Sequence, residues 1–170
     1  MTPYELAKAF TLKAEGGLTR DNGGLTMNGV TQAVYDTYRK LHSLPAQTVA
    51  KISPAEVDDI MHAEYWNPAH CDSLPTKVAV AMFDWAYNHG VGGAVMTLQR
   101  ALGLSTDGVF GTNTATAVHA ADANLLLSKF LDARRAWYRQ AVDANPSKYQ
   151  PYLAGWLNRV NNLQDYLNEV

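Results

Sequence analysis

Five of the chain's 12 glycines fall between Glu15 and Thr31. They interrupt a sequence that otherwise has the spacing of amphipathic helices. Thr2-Pro3-Tyr4-Glu5 forms a capping box: Thr2 is the N-cap, Pro3 occupies the first helical position and Glu5 reaches back to the cap. Leu6, Ala9 and Phe10 mark one apolar face, and Gly16-Gly17 supplies the stop, so Glu15 is expected at the end of the first helix. Leu18-Thr19-Arg20 and Leu25-Thr26-Met27 flank Asp21-Asn22-Gly23-Gly24, and Asn-Gly is a strong hairpin signal. The spacing predicts a small hairpin or compact loop, then a helix opening near Thr31.

Further along, Ser53-Pro54-Ala55-Glu56 is a second capping box, opening a helix expected to run to about Trp66. Another helix is expected over Thr76–Asn88. Gly90, Gly92 and Gly93 are read as a break, followed by a helix to Leu102 that Gly103 stops. Asp107-Gly108 is a turn, Asp122 caps a long helix to about Asp143, and Pro146 and Pro151 are expected to bracket a loop. The fold class is therefore mainly α, with a small β-hairpin beside the first helix. The glycines near position 92 give the best internal boundary, dividing the chain into 1–92 and 93–170. They make too short a break for a tether, so one compact unit is expected.

Composition narrows the function classes. With 170 residues, of which 47% are hydrophobic and 18% charged, the chain has enough apolar material for a packed core. A net charge of −2 leaves no basic footprint for nucleic acid, and no stretch is apolar enough for stable membrane insertion. One cysteine, Cys71, excludes an internal disulfide framework. His62, His70, Cys71 and Asp72 lie near one another in sequence, but neither an HExxH motif nor paired cysteines is present, so no metal and no cofactor are expected. The first residues lack a signal-peptide pattern, which predicts cytoplasmic synthesis and release to its site of action by a holin-type or other non-Sec route. A monomer is expected.

The segment from Glu15 to Thr31 has the residues that glycoside hydrolysis needs. That reaction requires a carboxylic acid to protonate the leaving oxygen, and a second carboxylate or polar group to handle water or the oxocarbenium-like transition state. The negative end of a helix dipole, under a glycine-rich loop, suits an acid that holds its proton. Asp21, on an open turn, suits the ionised partner. Spacing alone also allows a plain helix end followed by a plain turn.

Glu15-Gly16-Gly17, Asp21, Gly23-Gly24, Thr26, Gly29 and Thr31 resemble the signature of glycoside hydrolase family 108, a lysozyme-like family of phage endolysins and secretion-associated muramidases. Two departures stand out: the interval from Glu15 to Asp21 is shorter than the family's, and Asn22 replaces a proline. The resemblance implies that Glu15 is the general acid and that Asp21 and Thr26 position water or substrate. Thr31 is either a substrate contact or only the cap of the next helix. The run from Phe83 to Gly90, then Leu98-Gln99-Arg100-Ala101-Leu102-Gly103-Leu104, Asp107-Gly108-Val109-Phe110-Gly111, Thr114, Arg134, Ala136-Trp137-Tyr138 and Gly155-Trp156-Leu157-Asn158-Arg159-Val160 resembles the peptidoglycan-binding region commonly fused to that family. Asp84 and Asn88, at i and i+4, share a helix face; they either line a cleft and bind sugar, or are buried and bonded to backbone. Of the aromatics, Tyr65, Trp66, Trp85, Tyr87, Trp137 and Trp156 could stack on sugars, although most fit the core.

The resemblance thus implies a lysozyme-like muramidase acting on peptidoglycan glycan strands at the β-1,4 bond between N-acetylmuramic acid and N-acetylglucosamine. The alternatives are a non-catalytic peptidoglycan-binding module, a zinc-dependent wall amidase and a chitinase-like hydrolase. Whether the anomeric configuration inverts or is retained depends on a carboxyl separation that sequence does not give.

Overall fold

The computed structural model describes residues 1–21 and 24–170, with the backbone alone at Asp21. Helix α1 (Pro3–Glu15) opens on the expected capping box and leads into a three-stranded antiparallel sheet: β1 (Leu18–Asp21), β2 (Gly24–Met27) and β3 (Val30–Thr31). Seven more helices follow among the described residues: α2 (Gln32–Leu41), α3 (Pro54–Met61), α4 (Thr76–His89), α5 (Val91–Ala101), α6 (Thr112–Ala120), α7 (Ala123–Ala144) and α8 (Pro146–Glu169). The fold is mainly α and lysozyme-like, with the small sheet directly after α1. No described helix is long and apolar enough to cross a membrane.

Helix α4 is the axis of the molecule. Every residue from Val78 to Ala86 is buried, and a helix that is apolar all round has to be enclosed by others. α1, α5 and α7 pack directly on α4, and α8 lies along α7. Within the buried stretch of α4 stands one charged residue, Asp84.

Three expectations change in detail. The helix begun at Ser53 is α-helical only to Met61; His62–Trp66 continues as a π-helical turn, a form that often marks functional positions. Only Gly90 breaks the chain, with φ +90°, while Gly92 and Gly93 lie inside α5. Gly93 is there for packing: a Cβ on it would stand 2.4 Å from the His89 ring. Pro146 and Pro151 do not bracket a loop. Pro146 is the first residue of α8, where its missing N–H costs nothing, and Asn145 caps the helix by accepting from Lys148 N. Pro151 sits early in α8, and the buried stripe of Val160, Leu163 and Leu167 holds the helix beyond it.

The sheet is pinned to the core through one turn. Asn28 and Gly29, between β2 and β3, have φ +51° and +83°. The Tyr87 hydroxyl donates to the Asn28 carbonyl at 2.9 Å. Gly29 lies flat against that ring, so a Cβ there would meet Tyr87 Cε1 at 2.5 Å. Both conformation and contact therefore require glycine. Gly29→Ala is expected to destabilise the protein by about 1–3 kcal/mol in urea unfolding, whereas alanine at Gly92, which meets nothing, should be neutral or stabilising.

Candidate active site

The Glu15 carboxyl stands at the C-terminal end of α1, its side chain 20% exposed. Gly16, with φ +71°, ends the helix and turns the chain into β1. Glu15 Oε1 lies 2.6 Å from Arg159 Nη1 of α8; it is an ion pair without the alignment of a hydrogen bond. Two phenols also stand near it. Burial pushes both Tyr87 and Tyr65 up, and the nearby Glu15 charge adds to each shift. Tyr65 comes from the π-helical turn and packs edge-on against Tyr87 at 4.6 Å.

Arg159 is fixed from behind. Its Nη2 and Nε donate to Asp84 at 2.7 and 3.2 Å. Asp84 also accepts from Arg134 Nη1 at 2.7 Å and from Thr11 Oγ1 at 3.2 Å. Burial works against the Arg159 charge, but Asp84 and Glu15 outweigh it and raise its pKa further. Burial alone would likewise push the Asp84 carboxyl up; Arg134 and Arg159 overcome this and hold it below the usual carboxylate range. Arg134 is fully buried, lies 4.6 Å over the Trp85 ring and donates to the Tyr138 hydroxyl, which donates in turn to Asn88 Oδ1 at 3.1 Å. One connected polar path thus runs from Glu15 through Arg159, Asp84, Arg134 and Tyr138 to Asn88.

The other residues singled out in sequence divide as follows. Thr26 is half-buried in β2 and stands opposite Thr19 of β1 and Thr31 of β3, so the three threonines share one face of the sheet. Thr31 also caps α2, its hydroxyl accepting from Val34 N at 3.3 Å. Asp21 pairs with Gly24 in the strand register; its side chain lies outside the described residues, as do Asn22 and Gly23. Asn88 lines a groove of about 870 Å³ between α1 and α8. Asp84 does not line that groove. It is fully buried, and of the two readings its spacing allowed, burial is observed, with side chains rather than backbone as partners. A sugar contact at Asp84 is corrected on that ground to a role behind Arg159.

The histidine and cysteine cluster has other work. Asp72 accepts from Trp66 Nε1 at 2.8 Å, His70 stacks on Phe110, and burial pushes the Cys71 thiol up. Among the described residues, no group of three or more His, Cys, Asp or Glu could hold a metal ion.

Sequence reasoning gave no role to Arg134 or Arg159, the two cations that organise the site. A signal was present: Phe130, Arg134 and Tyr138 recur at i, i+4 and i+8 on the buried stripe of α7. A cation on an apolar stripe calls for a buried anion.

Asp84→Asn would leave Arg134 buried without its counter-charge, at an expected cost of about 3–5 kcal/mol at neutral pH. The Asp84 carboxyl takes up a proton less readily in the folded protein than in the unfolded one. Its pairing therefore stabilises fully above the ordinary aspartate value of about 4 and is lost as pH falls through the lower folded value. In urea melts across pH, wild type and variant should converge as the solution becomes more acid; a constant gap would contradict this account.

Residues 8–90 match the family model described as "Glycosyl hydrolase 108", and residues 93–161 match the one described as "Predicted Peptidoglycan domain". A solved structure of SagA from Brucella abortus aligns with a TM-score of 0.81 and 27% identity, over 98% of this chain and 94% of that one. No curated protein sequence shows a significant match. The boundary between the two matched regions falls at Gly90 and the start of α5, yet Glu15 and Asp84 of the first meet Arg134 and Arg159 of the second. The chain is a glycoside hydrolase: its first half carries the match to glycosyl hydrolase 108, and its second half carries the match to the peptidoglycan domain.

Proposed function

We propose that the chain is a muramidase that hydrolyses the β-1,4 bond between N-acetylmuramic acid and N-acetylglucosamine in peptidoglycan, with Glu15 delivering the proton. The observation that carries this reading is the Glu15 carboxyl, partly shielded at the end of α1 beside the sheet and faced by an arginine that buried Asp84 holds in place. When a protonated Glu15 gives up its proton to the leaving oxygen, negative charge develops on its carboxyl. Arg159 is already placed to stabilise that charge as it forms. The ordering is built before substrate arrives, because the guanidinium is locked by Asp84 rather than recruited from solvent.

In this reading, Thr26 and Asp21 position water on the sheet side, and Asn88 offers its amide to the sugar. Peptidoglycan glycan strands are the partner, and the peptidoglycan domain match supports that substrate class. The setting that fits the reading is phage lysis or muramidase-assisted secretion, with holin-type or other non-Sec release to the wall.

Purified sacculi provide the test. Wild type should release reducing ends, with products that mass spectrometry identifies as ending in reducing N-acetylmuramic acid. Glu15→Gln keeps the shape but removes the transferable proton, and should lower turnover at least about 100-fold. Arg159→Met should reduce kcat more than it changes KM, since it removes stabilisation that is strongest in the transition state. Wall binding without reducing ends would instead support a binding module. Chelator-sensitive release of amino groups would indicate an amidase.

A further inference from the structure

We propose that the Tyr65 hydroxyl reads the acetamido group of the sugar bound beside Glu15, and so makes cleavage depend on N-acetylation. The inference rests on the muramidase reading, because both sugars of the bond named there carry that group; it goes further by giving the recognition to one residue.

Backbone contacts fix where Tyr65 stands. Asn28 N donates to the carbonyl of Gly17, two residues beyond Glu15, at 3.4 Å. The Asn28 carbonyl accepts from the Tyr87 hydroxyl, and Tyr65 packs edge-on against the Tyr87 ring at 4.6 Å. Tyr65 is therefore part of the wall beside the end of α1. The π-helical turn puts it there. Met61 and Trp66, five residues apart, are both buried, and Asn67 N reaches back five residues to the His62 carbonyl at 3.0 Å. In an α-helix the residue four after Met61, Tyr65, would share its face. The wider turn gives that place to Trp66, whose Nε1 donates to Asp72 at 2.8 Å, and leaves Tyr65 half-buried against Tyr87.

The hydroxyl is unspent. Every other tyrosine before α8 donates its hydroxyl to a protein acceptor. Among the described residues, Tyr65 has no such acceptor, although a phenol this far from bulk water ordinarily finds one. Burial, then the charges of Glu64 and Glu15, push the phenol up, so it keeps its proton and remains a donor. On an N-acetylated hexose the strongest uncharged acceptor is the acetamido carbonyl, and the same group ends in a methyl. The wall offers one free donor beside the apolar surfaces of two tyrosine rings, which suits both parts. A free amine at that position is protonated at neutral pH, accepts no hydrogen bond and carries no methyl.

The experiment compares two substrates that share one backbone: glycan strands partly stripped of N-acetyl groups, and the same strands re-acetylated with acetic anhydride. Tyr65→Phe keeps the ring and removes the donor. It should lower kcat/KM about tenfold on the acetylated strands and little on the stripped ones, so that the preference between them shrinks about tenfold. An unchanged preference, or an equal fall on both substrates, would overturn the proposal. In urea the variant should unfold at the wild-type midpoint, because no bond within the protein is lost; a lower midpoint would show the hydroxyl spent on the fold and overturn it too. Binding is read without catalysis by calorimetric titration with tri-N-acetylchitotriose and with its free-amine counterpart. Wild type should bind the acetylated trisaccharide saturably, and about tenfold more tightly than Tyr65→Phe does or than it binds the amine form itself. No binding, or equal affinities, overturns the proposal. If wild type cleaves neither strand, the muramidase reading fails, and the titration still decides whether Tyr65 reads the acetamido group.

Discussion

Asp84 is the constraint around which the site is organised. It stands in the most enclosed helix of the molecule, where an unpaired carboxylate would be prohibitively costly. Its charge is tolerable only because α7 delivers Arg134 and α8 delivers Arg159 to the same two oxygens. Replacing such a group of ions with well-packed apolar residues is often neutral or stabilising, so stability alone is a weak reason to keep it. A better reason lies at the surface end of the chain of contacts, where Arg159 emerges from the interior and meets Glu15. The buried anion fixes where that guanidinium points, and so what the carboxyl at the end of α1 encounters.

The sheet side is held by a different principle. A sheet of such short strands has little stability of its own. It is held by the Asn28-Gly29 turn lying against Tyr87, which comes from the same helix as Asp84. One helix thus locates both walls around Glu15: Asp84 sets the arginine and Tyr87 sets the strands. The π-helical turn adds Tyr65 to the same wall, out of step with the α-helical register that precedes it.

Much of the architecture was legible because it is written in local chemistry. The boxes at Thr2 and Ser53, the cap at Asp122, the stop at Gly16 and the hairpin between Leu18 and Met27 all follow from interactions within a few residues. What escaped involves partners far apart in sequence. The prolines at 146 and 151 resemble the bounds of a loop until the buried stripe further along α8 is considered. In the site, Glu15 could be singled out from its neighbours. Asp84 could be singled out as well, but sugar contact and burial both stayed open, because helical spacing shows which residues share a face and not whether that face is wet. Arg159 answers to a carboxylate 75 residues away, a relation that no window of sequence contains.

The ion path from Glu15 to Arg159 bears on how such a protein can change over generations. Wall-targeting segments are often treated as interchangeable cassettes, added to or exchanged between hydrolases to redirect them. Here the later segment supplies a residue that touches the Glu15 carboxyl, together with the counter-ions that keep a central helix from carrying a naked charge. Recombination at the glycine break would separate those groups and damage folding and chemistry at once. The two stretches are therefore expected to be inherited as a matched pair, with any retargeting achieved by substitutions along exposed grooves rather than by swapping the segment whole.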